Sequence, residues 1–171
     1  MNILTYATQV GIKPTPVYAV SLYKNTLSHE NFMRNRWGVL QLLPPAADVT
    51  IPLLGKESGR AVDKMARLRE IGVHLTPVHA NVRATTVTAA ADAGDADDAD
   101  DSLLVMTDSP MLLLAEIVDG PTSVPVDVGD HDVVFCEIRR VISINAGNEG
   151  SAAEGAKPYL TTKMLRDKGL L

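Results

Sequence analysis

The chain has 171 residues, is 46% hydrophobic and 22% charged, and carries a formal net charge of −5. This length and hydrophobicity exclude a disordered protein and predict one globular domain over residues 1–171, which can bury roughly 70% of its unfolded surface. No apolar run approaches the roughly 20 residues of a membrane helix, so we expect no membrane partner.

The negative charge is concentrated in one segment. Six aspartates lie between Asp92 and Asp101, and without their six charges the rest of the chain would carry +1. Residues 89–101 contain only Ala, Asp and Gly, so we expect a disordered insertion there. No basic stripe with interleaved aromatic residues occurs, and we expect no nucleic-acid partner. The single cysteine, Cys136, and the lack of a visible secretory signal predict a cytoplasmic protein, with an organelle as the alternative.

Two extended runs open the chain. Residues 2–8 are strand-like, and residues 17–23 alternate in a β-rich composition that is typical of a strand. Ser28 is expected to cap the short helix that follows. Residues 39–43 predict a further strand, which two prolines end.

Two more helices are predicted in the first half of the chain. Asp48 is expected to cap a short helix that Gly55 closes. A longer helix is predicted over about residues 58–71, because its apolar residues fall on one face and Gly72 is a typical C-terminal stop.

The second half of the chain is dominated by strands and turns. The predicted elements are strands at residues 78–86, 103–106, 111–118 and 131–144 and a short helix at 162–168. Because the strands are consecutive and linked by turns, antiparallel pairing is favoured. We therefore expect a mainly β fold, a small β-barrel with attached short helices, and an open α+β sandwich is the alternative.

The turn after the 17–23 strand is a candidate phosphate site. It contains Lys24, Asn25, Thr26 and Ser28, followed by backbone N–H groups near His29. The first turn of a helix has unpaired N–H groups and a positive dipole end, which attract anions. The alternative is a strand, a turn and a capped helix without a ligand. Neither a P-loop nor a GxGxxG motif occurs in the sequence.

Four segments of the chain follow one another in a familiar order. They are residues 2–8 (NILTYAT), 18–32 (YAVSLYKNTLSHENF), 55–64 (GKESGRAVDK) and 159–170 (YLTTKMLRDKGL). This arrangement resembles the flavin reductase-like family, the FMN-binding split β-barrels. The resemblance covers nearly the whole chain apart from the Asp-rich insertion. Family members usually have a strand and a hairpin before the segment that corresponds to residues 2–8.

The resemblance implies a flavin ring along the first strand and ribityl and phosphate groups on the turn and helix that follow. The implied cofactor-binding residues are Asn2, Thr5, Tyr6, Ala7, Thr8, Ser21, Leu22, Tyr23, Lys24, Asn25, Thr26, Ser28, His29, Asn31, Ser58 and Arg60. For Arg60, and for Lys64 beside it, a place on the exposed surface of a helix is the alternative to contact with the phosphate.

Residues 129–131, Gly-Asp-His, precede the last predicted strand. By themselves they are typical of a turn that enters a strand. In the family, the same tripeptide lies where a nicotinamide stacks on the flavin, so the resemblance implies that His131 is catalytic and orients the nicotinamide. His131 shares its strand face with Val133 and Phe135, opposite Cys136, and no joint His–Cys site is implied.

The resemblance implies an NAD(P)H-dependent flavin reductase with FMN as cofactor, NAD(P)H as reductant and a homodimeric assembly. The alternatives are an FMN-binding electron carrier that does not itself oxidise NAD(P)H, and a cofactor-free split-barrel assembly protein. No metal site is expected, because His74 and His79 have no partner ligands nearby in the sequence. Cys136, in an apolar strand, is typical of an inert core thiol.

Overall fold

The computed structural model describes residues 1–4, 6–79, 102–120, 123–142 and 159–170. The predicted insertion at residues 89–101 lies outside the described residues, as do residues 80–86 of the predicted strand and the predicted cofactor residue Thr5. Within the described parts of the chain, most of the regular structure is β-strand.

Eight strands occur in the described residues. They are β1 (Ala7–Gly11), β2 (Val17–Tyr23), β3 (Trp37–Leu42), β4 (Leu75–His79), β5 (Ser102–Met106), β6 (Met111–Ile117), β7 (Val126–Asp127) and β8 (His131–Ile142). Six strands form one sheet in the order β1-β2-β8-β6-β3 with β7 added beside β8, and β4 pairs with β5. Every pair is antiparallel. The mainly β, antiparallel fold with short attached helices is therefore confirmed.

Four short α-helices accompany the strands in these residues. They are α1 (Leu27–Asn35), α2 (Ile51–Lys56), α3 (Lys64–Glu70) and α4 (Thr162–Asp167). The prediction that Ser28 caps the first helix is wrong. Thr26 is the N-cap, because its backbone is extended and its hydroxyl oxygen accepts the His29 N–H at 3.2 Å. Ser28 therefore lies inside the first turn of α1.

Three other predicted boundaries also differ from the structure. Asp48 lies within a 3₁₀ helix, Pro45–Thr50, that leads directly into α2, so it caps no helix. The helix predicted from residue 58 begins only at Lys64, because the Asp63 side chain caps it by accepting the Met65 and Ala66 N–H groups. The first strand begins at Ala7 and extends to Gly11, later than predicted.

One face of the central strand β8 forms part of the hydrophobic core. Its Val134, Cys136 and Ile138 side chains are buried and pack with buried residues of β2 and β6. The opposite face of β8, which begins at His131, is only partly buried, so the predicted division of this strand into two faces is confirmed. A second buried cluster joins α2, α3 and β5 through Leu53, Leu54, Leu68 and Met106. Leu54 and Met106 of the second cluster, and Phe32 and Leu113 packed against the first, line the cavity described below.

A glycine in β3 allows α1 to pack closely on the sheet. A Cβ atom added at Gly38 would lie 2.6 Å from Cε2 of the Phe32 ring. Replacing Gly38 with alanine is therefore expected to destabilise the protein by about 1–3 kcal/mol through overpacking. Urea unfolding would measure the loss. Gly55→Ala is the matched control, because its new Cβ would meet only Ile3 at 3.6 Å, and an equal loss in both variants would contradict this account.

Candidate functional site

A cavity of about 720 Å³ opens between the end of β2, the start of α1, β3 and the segment 159–165. Its volume lies in the range of typical small-molecule sites. The lining includes the hydroxyl residues Ser21, Thr26 and Ser28, at the end of β2 and the start of α1. It also includes apolar side chains of β3, β6 and α2. Such a wall suits a ligand with a polar chain and a flat apolar ring.

The structure brings part of the predicted cofactor-binding set to this cavity. The predicted residues that line it are Asn2, Ala7, Ser21, Leu22, Tyr23, Thr26, Ser28 and His29. The predicted residues of the described chain that do not line it are Tyr6, Thr8, Lys24, Asn25, Asn31, Ser58, Arg60 and His131. The members of this set between Ser21 and His29 lie together because the end of β2 leads directly into α1.

Hydrogen bonds shape the turn between β2 and α1. Asn25 adopts a left-handed backbone conformation with φ of 61°. The Thr26 hydroxyl donates to the Tyr23 carbonyl at 2.9 Å and accepts the His29 N–H at 3.2 Å. Both hydrogen-bonding roles of the Thr26 hydroxyl, and the His29 N–H group, are thus already used within the protein.

Lys24 and His29, the two predicted cofactor-binding residues of this turn that can carry a positive charge, are paired with carboxylates. Lys24 Nζ lies 2.7 Å from Asp127 Oδ2 and 3.4 Å from Asp132 Oδ1. His29 Nε2 lies 2.7 Å from the other oxygen of Asp132. The hydrogen bond that Lys24 donates to Asp127 raises the pKa of Lys24 and lowers the pKa of Asp127. A phosphate at this turn would have to compete with these two carboxylates.

His131 does not line the cavity but packs against Tyr23, which does. The two residues are register partners on β8 and β2, and their ring centroids are 5.1 Å apart in an edge-to-face arrangement. His131 Nδ1 is 2.8 Å from Asp130 Oδ1, and this hydrogen bond lowers the pKa of Asp130. Because Tyr23 lines the cavity, His131 adjoins the site through that ring.

Other lining residues were missed by the sequence analysis. Gln41 lines the cavity, and its side-chain oxygen accepts the Met106 N–H at 2.7 Å and the Ser109 hydroxyl at 3.1 Å. A lone amide in the apolar run 39–43 was a signal that could have identified it. The segment 159–165 gave no such signal, because tertiary contacts such as the hydrogen bond from the Leu160 N–H to the Leu43 carbonyl place it there.

Arg60 and Lys64 line a smaller cavity of about 390 Å³. The Arg60 guanidinium pairs with Glu30 of α1, and the Arg60 N–H donates to the Ser58 hydroxyl oxygen at 3.2 Å. Lys64 is 6% exposed and donates to the Leu54 carbonyl at 2.8 Å. The alternative of a surface charge is therefore wrong for Lys64.

The described ranges contain no set of three or more His, Cys, Asp or Glu side chains arranged to hold a metal ion. No helix in them is long and apolar enough to span a bilayer. The Cys136 thiol is buried, and burial raises its pKa to about 12, which makes it a poor nucleophile.

Comparison with known proteins decides the family. The family model described as "Flavin reductase like domain" matches residues 2–160. The chain belongs to the flavin reductase-like family. No curated protein sequence matches it significantly.

Solved structures resemble this flavin reductase-like chain at low sequence identity. An FMN-binding protein from Thermus thermophilus has a TM-score of 0.58 at 15% identity, with 84% of this chain and 62% of that chain covered. Flavoredoxin from Methanosarcina acetivorans has a TM-score of 0.58 at 14%, with 82% and 59% covered. An NADH:FAD oxidoreductase from Streptomyces globisporus has 0.53 at 12%, with 80% and 63% covered. The chain thus spans about 60% of the length of these proteins, and the likeness establishes a shared fold.

Proposed function

We propose that this flavin reductase-like protein binds FMN without a covalent bond and passes electrons to it from NAD(P)H. The observation that carries the proposal is the 720 Å³ cavity, whose lining combines hydroxyl residues with apolar side chains. A ribityl chain needs hydrogen-bonding partners, and an isoalloxazine ring needs apolar surface. The relatives described as FMN-binding protein, flavoredoxin and NADH:FAD oxidoreductase support the same assignment.

The bound flavin would supply the hydride-accepting chemistry, and the protein would supply binding and orientation. In this proposal Ser21 and Ser28, which line the cavity, contact the ribityl chain. A nicotinamide would approach the ring beside Tyr23, which lines the cavity, and His131, which packs against Tyr23. Few acid–base residues are needed for such a reaction, because the hydride passes between the two cofactors.

A second candidate function is an FMN-binding electron carrier that does not itself oxidise NAD(P)H. It is favoured by the position of His131, which does not line the cavity and, among the described residues, packs against Tyr23 of its lining. It is also favoured by the relative described as flavoredoxin. In this case electrons would arrive from a protein partner and the nicotinamide position would not be used.

We also propose that the protein is a homodimer and that it is located in the cytoplasm. Tyr6, Val10 and Ile12 are exposed apolar residues on or beside β1, which is an edge strand, and Ile12 is 73% exposed. Exposed apolar side chains on a sheet edge are typical of an association surface. Light scattering of the purified flavoprotein is expected to give the mass of two chains, and a monomer with flavin bound would contradict this part.

An absorbance titration with FMN, followed by addition of NADH or NADPH under anaerobic conditions, tests the function. Binding with bleaching of the flavin band by either nucleotide is the expected result. Binding without bleaching would favour the electron carrier. Absence of FMN binding would contradict both and favour a cofactor-free assembly protein.

A further inference from the structure

We propose that the side-chain amide of Gln41 donates a hydrogen bond to a ring carbonyl oxygen of the ligand in the 720 Å³ cavity, and so fixes the orientation of its flat ring. This inference rests on the proposed function, in which the ring is an isoalloxazine with carbonyl groups at C2 and C4. Gln41 lies on β3 and is not among the residues that the family resemblance implies. Its role is that of a specificity-determining residue.

The first observation is that neighbouring groups fix the orientation of the Gln41 amide. The Met106 backbone nitrogen lies 2.7 Å from Gln41 Oε1, and a peptide N–H can only donate, so the amide atom that faces it is the oxygen. The Ser109 hydroxyl donates to the same oxygen at 3.1 Å. These two bonds hold the β3 side chain to the end of β5 and the turn after it without using Nε2.

The second observation is that Nε2 has little to bond. An amide nitrogen carries two N–H donors. In the described chain the only acceptor bonded to Gln41 Nε2 is Met1 Sδ at 3.8 Å, and a thioether sulfur is a weak acceptor. A ligand that fills the cavity displaces the water that would otherwise pair with these donors. It must therefore supply an acceptor of its own, because an unpaired buried donor is unfavourable.

The third observation is the position of Nε2 beside the cavity. Gln41 and Met1 both line it, so the contact between Nε2 and Sδ joins two residues of the cavity lining. Ser109, which binds the amide oxygen, is completely buried and is not part of the lining. Of the two amide atoms, the nitrogen is therefore the one with a neighbour in the lining and with donors to spare.

The fourth observation is the apolar character of the surrounding wall. Within the described chain, Gln41 is the one polar side chain among the lining residues that β3, β6 and α2 contribute. An apolar wall accepts a flat ring in several orientations, because apolar contact is not directional. A single donor in that wall selects the orientation that brings a ring acceptor to it. Gln41 thus supplies the direction that the apolar contacts lack.

The binding test uses FMN and its 2-thio and 4-thio analogues, in which a weakly accepting sulfur replaces one ring carbonyl oxygen. Wild type is expected to bind FMN about threefold to tenfold more tightly than one of the two analogues, the range for one neutral hydrogen bond. In Gln41→Glu this preference is expected to disappear. At about pH 8 the carboxylate still accepts from Met106 and Ser109 but has no proton to donate. Absorbance titrations give each Kd.

Gln9→Glu is the matched control. Gln9 is the other glutamine of the chain, and it lies exposed on β1 outside the cavity lining, so this variant is expected to keep the wild-type preference. A purely structural role for Gln41 would weaken the binding of all three flavins by one factor and leave the preference unchanged. That result, or the absence of any preference in wild type, would overturn the inference.

NMR of the wild-type chain keeps the test decisive if Gln41→Glu fails to fold, as judged by circular dichroism. With an isotopic nitrogen label in the glutamine side chains, two NH₂ groups are observed, and Gln9→Glu identifies one of them. FMN is expected to shift a Gln41 N–H proton further downfield than one thio analogue does, with the Gln9 signals unmoved. Equal shifts with all three flavins would overturn the inference.

The proposed function and this inference fail in different ways. If wild type binds no flavin at all, the proposed function fails and the inference fails with it. If wild type binds FMN normally but Gln41→Glu keeps the preference, or if the Gln41 signals do not distinguish the three flavins, the inference fails alone.

Discussion

Replacing His131 with alanine is expected to slow the reduction of bound FMN by NADH or NADPH about a hundredfold, with FMN affinity close to that of wild type. The His131 ring packs edge-to-face against Tyr23, which lines the cavity, and is held at 2.8 Å by Asp130. In the proposed function it orients a nicotinamide, while it contributes no lining to the cavity. A small displacement of the hydride donor has a steep effect on rate. Stopped-flow bleaching of the flavin band measures the effect.

Two further variants show whether the effect belongs to the orientation of this imidazole. Asp130→Asn keeps the ring but weakens the bond that holds it, so it is expected to slow reduction less than His131→Ala. His74→Ala, which removes an exposed histidine outside the cavity lining, is expected to match wild type. If His131→Ala bleaches as fast as wild type, His131 serves only as the first residue of β8. If wild type bleaches with neither nucleotide, the carrier function takes its place.

Replacing Leu68 with alanine is expected to destabilise the fold by about 2–5 kcal/mol, the range for removing a large buried side chain. Leu68 is completely buried where α3 packs on Leu53, Leu54 and Met106. The loss combines the transfer free energy of the deleted carbons with the cavity left behind. Urea unfolding followed by fluorescence of the single tryptophan, Trp37, measures it.

The matched control for Leu68 is Ile71→Ala, three residues along the chain. Ile71 is 49% exposed at the end of α3, so its truncation is expected to change stability by no more than about 0.5 kcal/mol. A loss below about 1 kcal/mol in Leu68→Ala would mean that α2, α3 and β5 do not share one tightly packed cluster.

The elements that the sequence predicts best are those whose pattern is local. β2 and β8 alternate in hydrophobicity, and both strands are found with the faces that the alternation predicts. The start of α1 was predicted two residues late, because Thr26 and Ser28 are both good caps and the choice depends on backbone angles. The left-handed conformation of Asn25 brings the chain into α1 with the Thr26 hydroxyl, not that of Ser28, facing the His29 N–H.

The candidate site is predictable only where its residues are neighbours in sequence. The hydroxyl residues at the end of β2 and the start of α1 line one cavity because they share one turn. The pairing of Lys24 with Asp132 joins residues more than a hundred positions apart, and no local pattern indicates it. The burial of Lys64 is equally invisible, since it depends on how α3 packs beside Leu54. The sequence therefore predicted the position of the turn, but it did not predict how the charged side chains near the turn are paired or buried.

The buried position of Cys136 makes the alkylation rate of its thiol a measure of how often the surrounding core opens. The thiol is inaccessible in the centre of the sheet, with Tyr18 of β2 and Ile117 of β6 as its register partners on the two sides. A maleimide reagent can react with it only when the packing around it opens, because the thiolate must be exposed to react. The rate of alkylation under native conditions therefore reports how often this part of the core opens. Comparing this rate with and without FMN would show whether the flavin slows those openings, with no cysteine introduced by mutation.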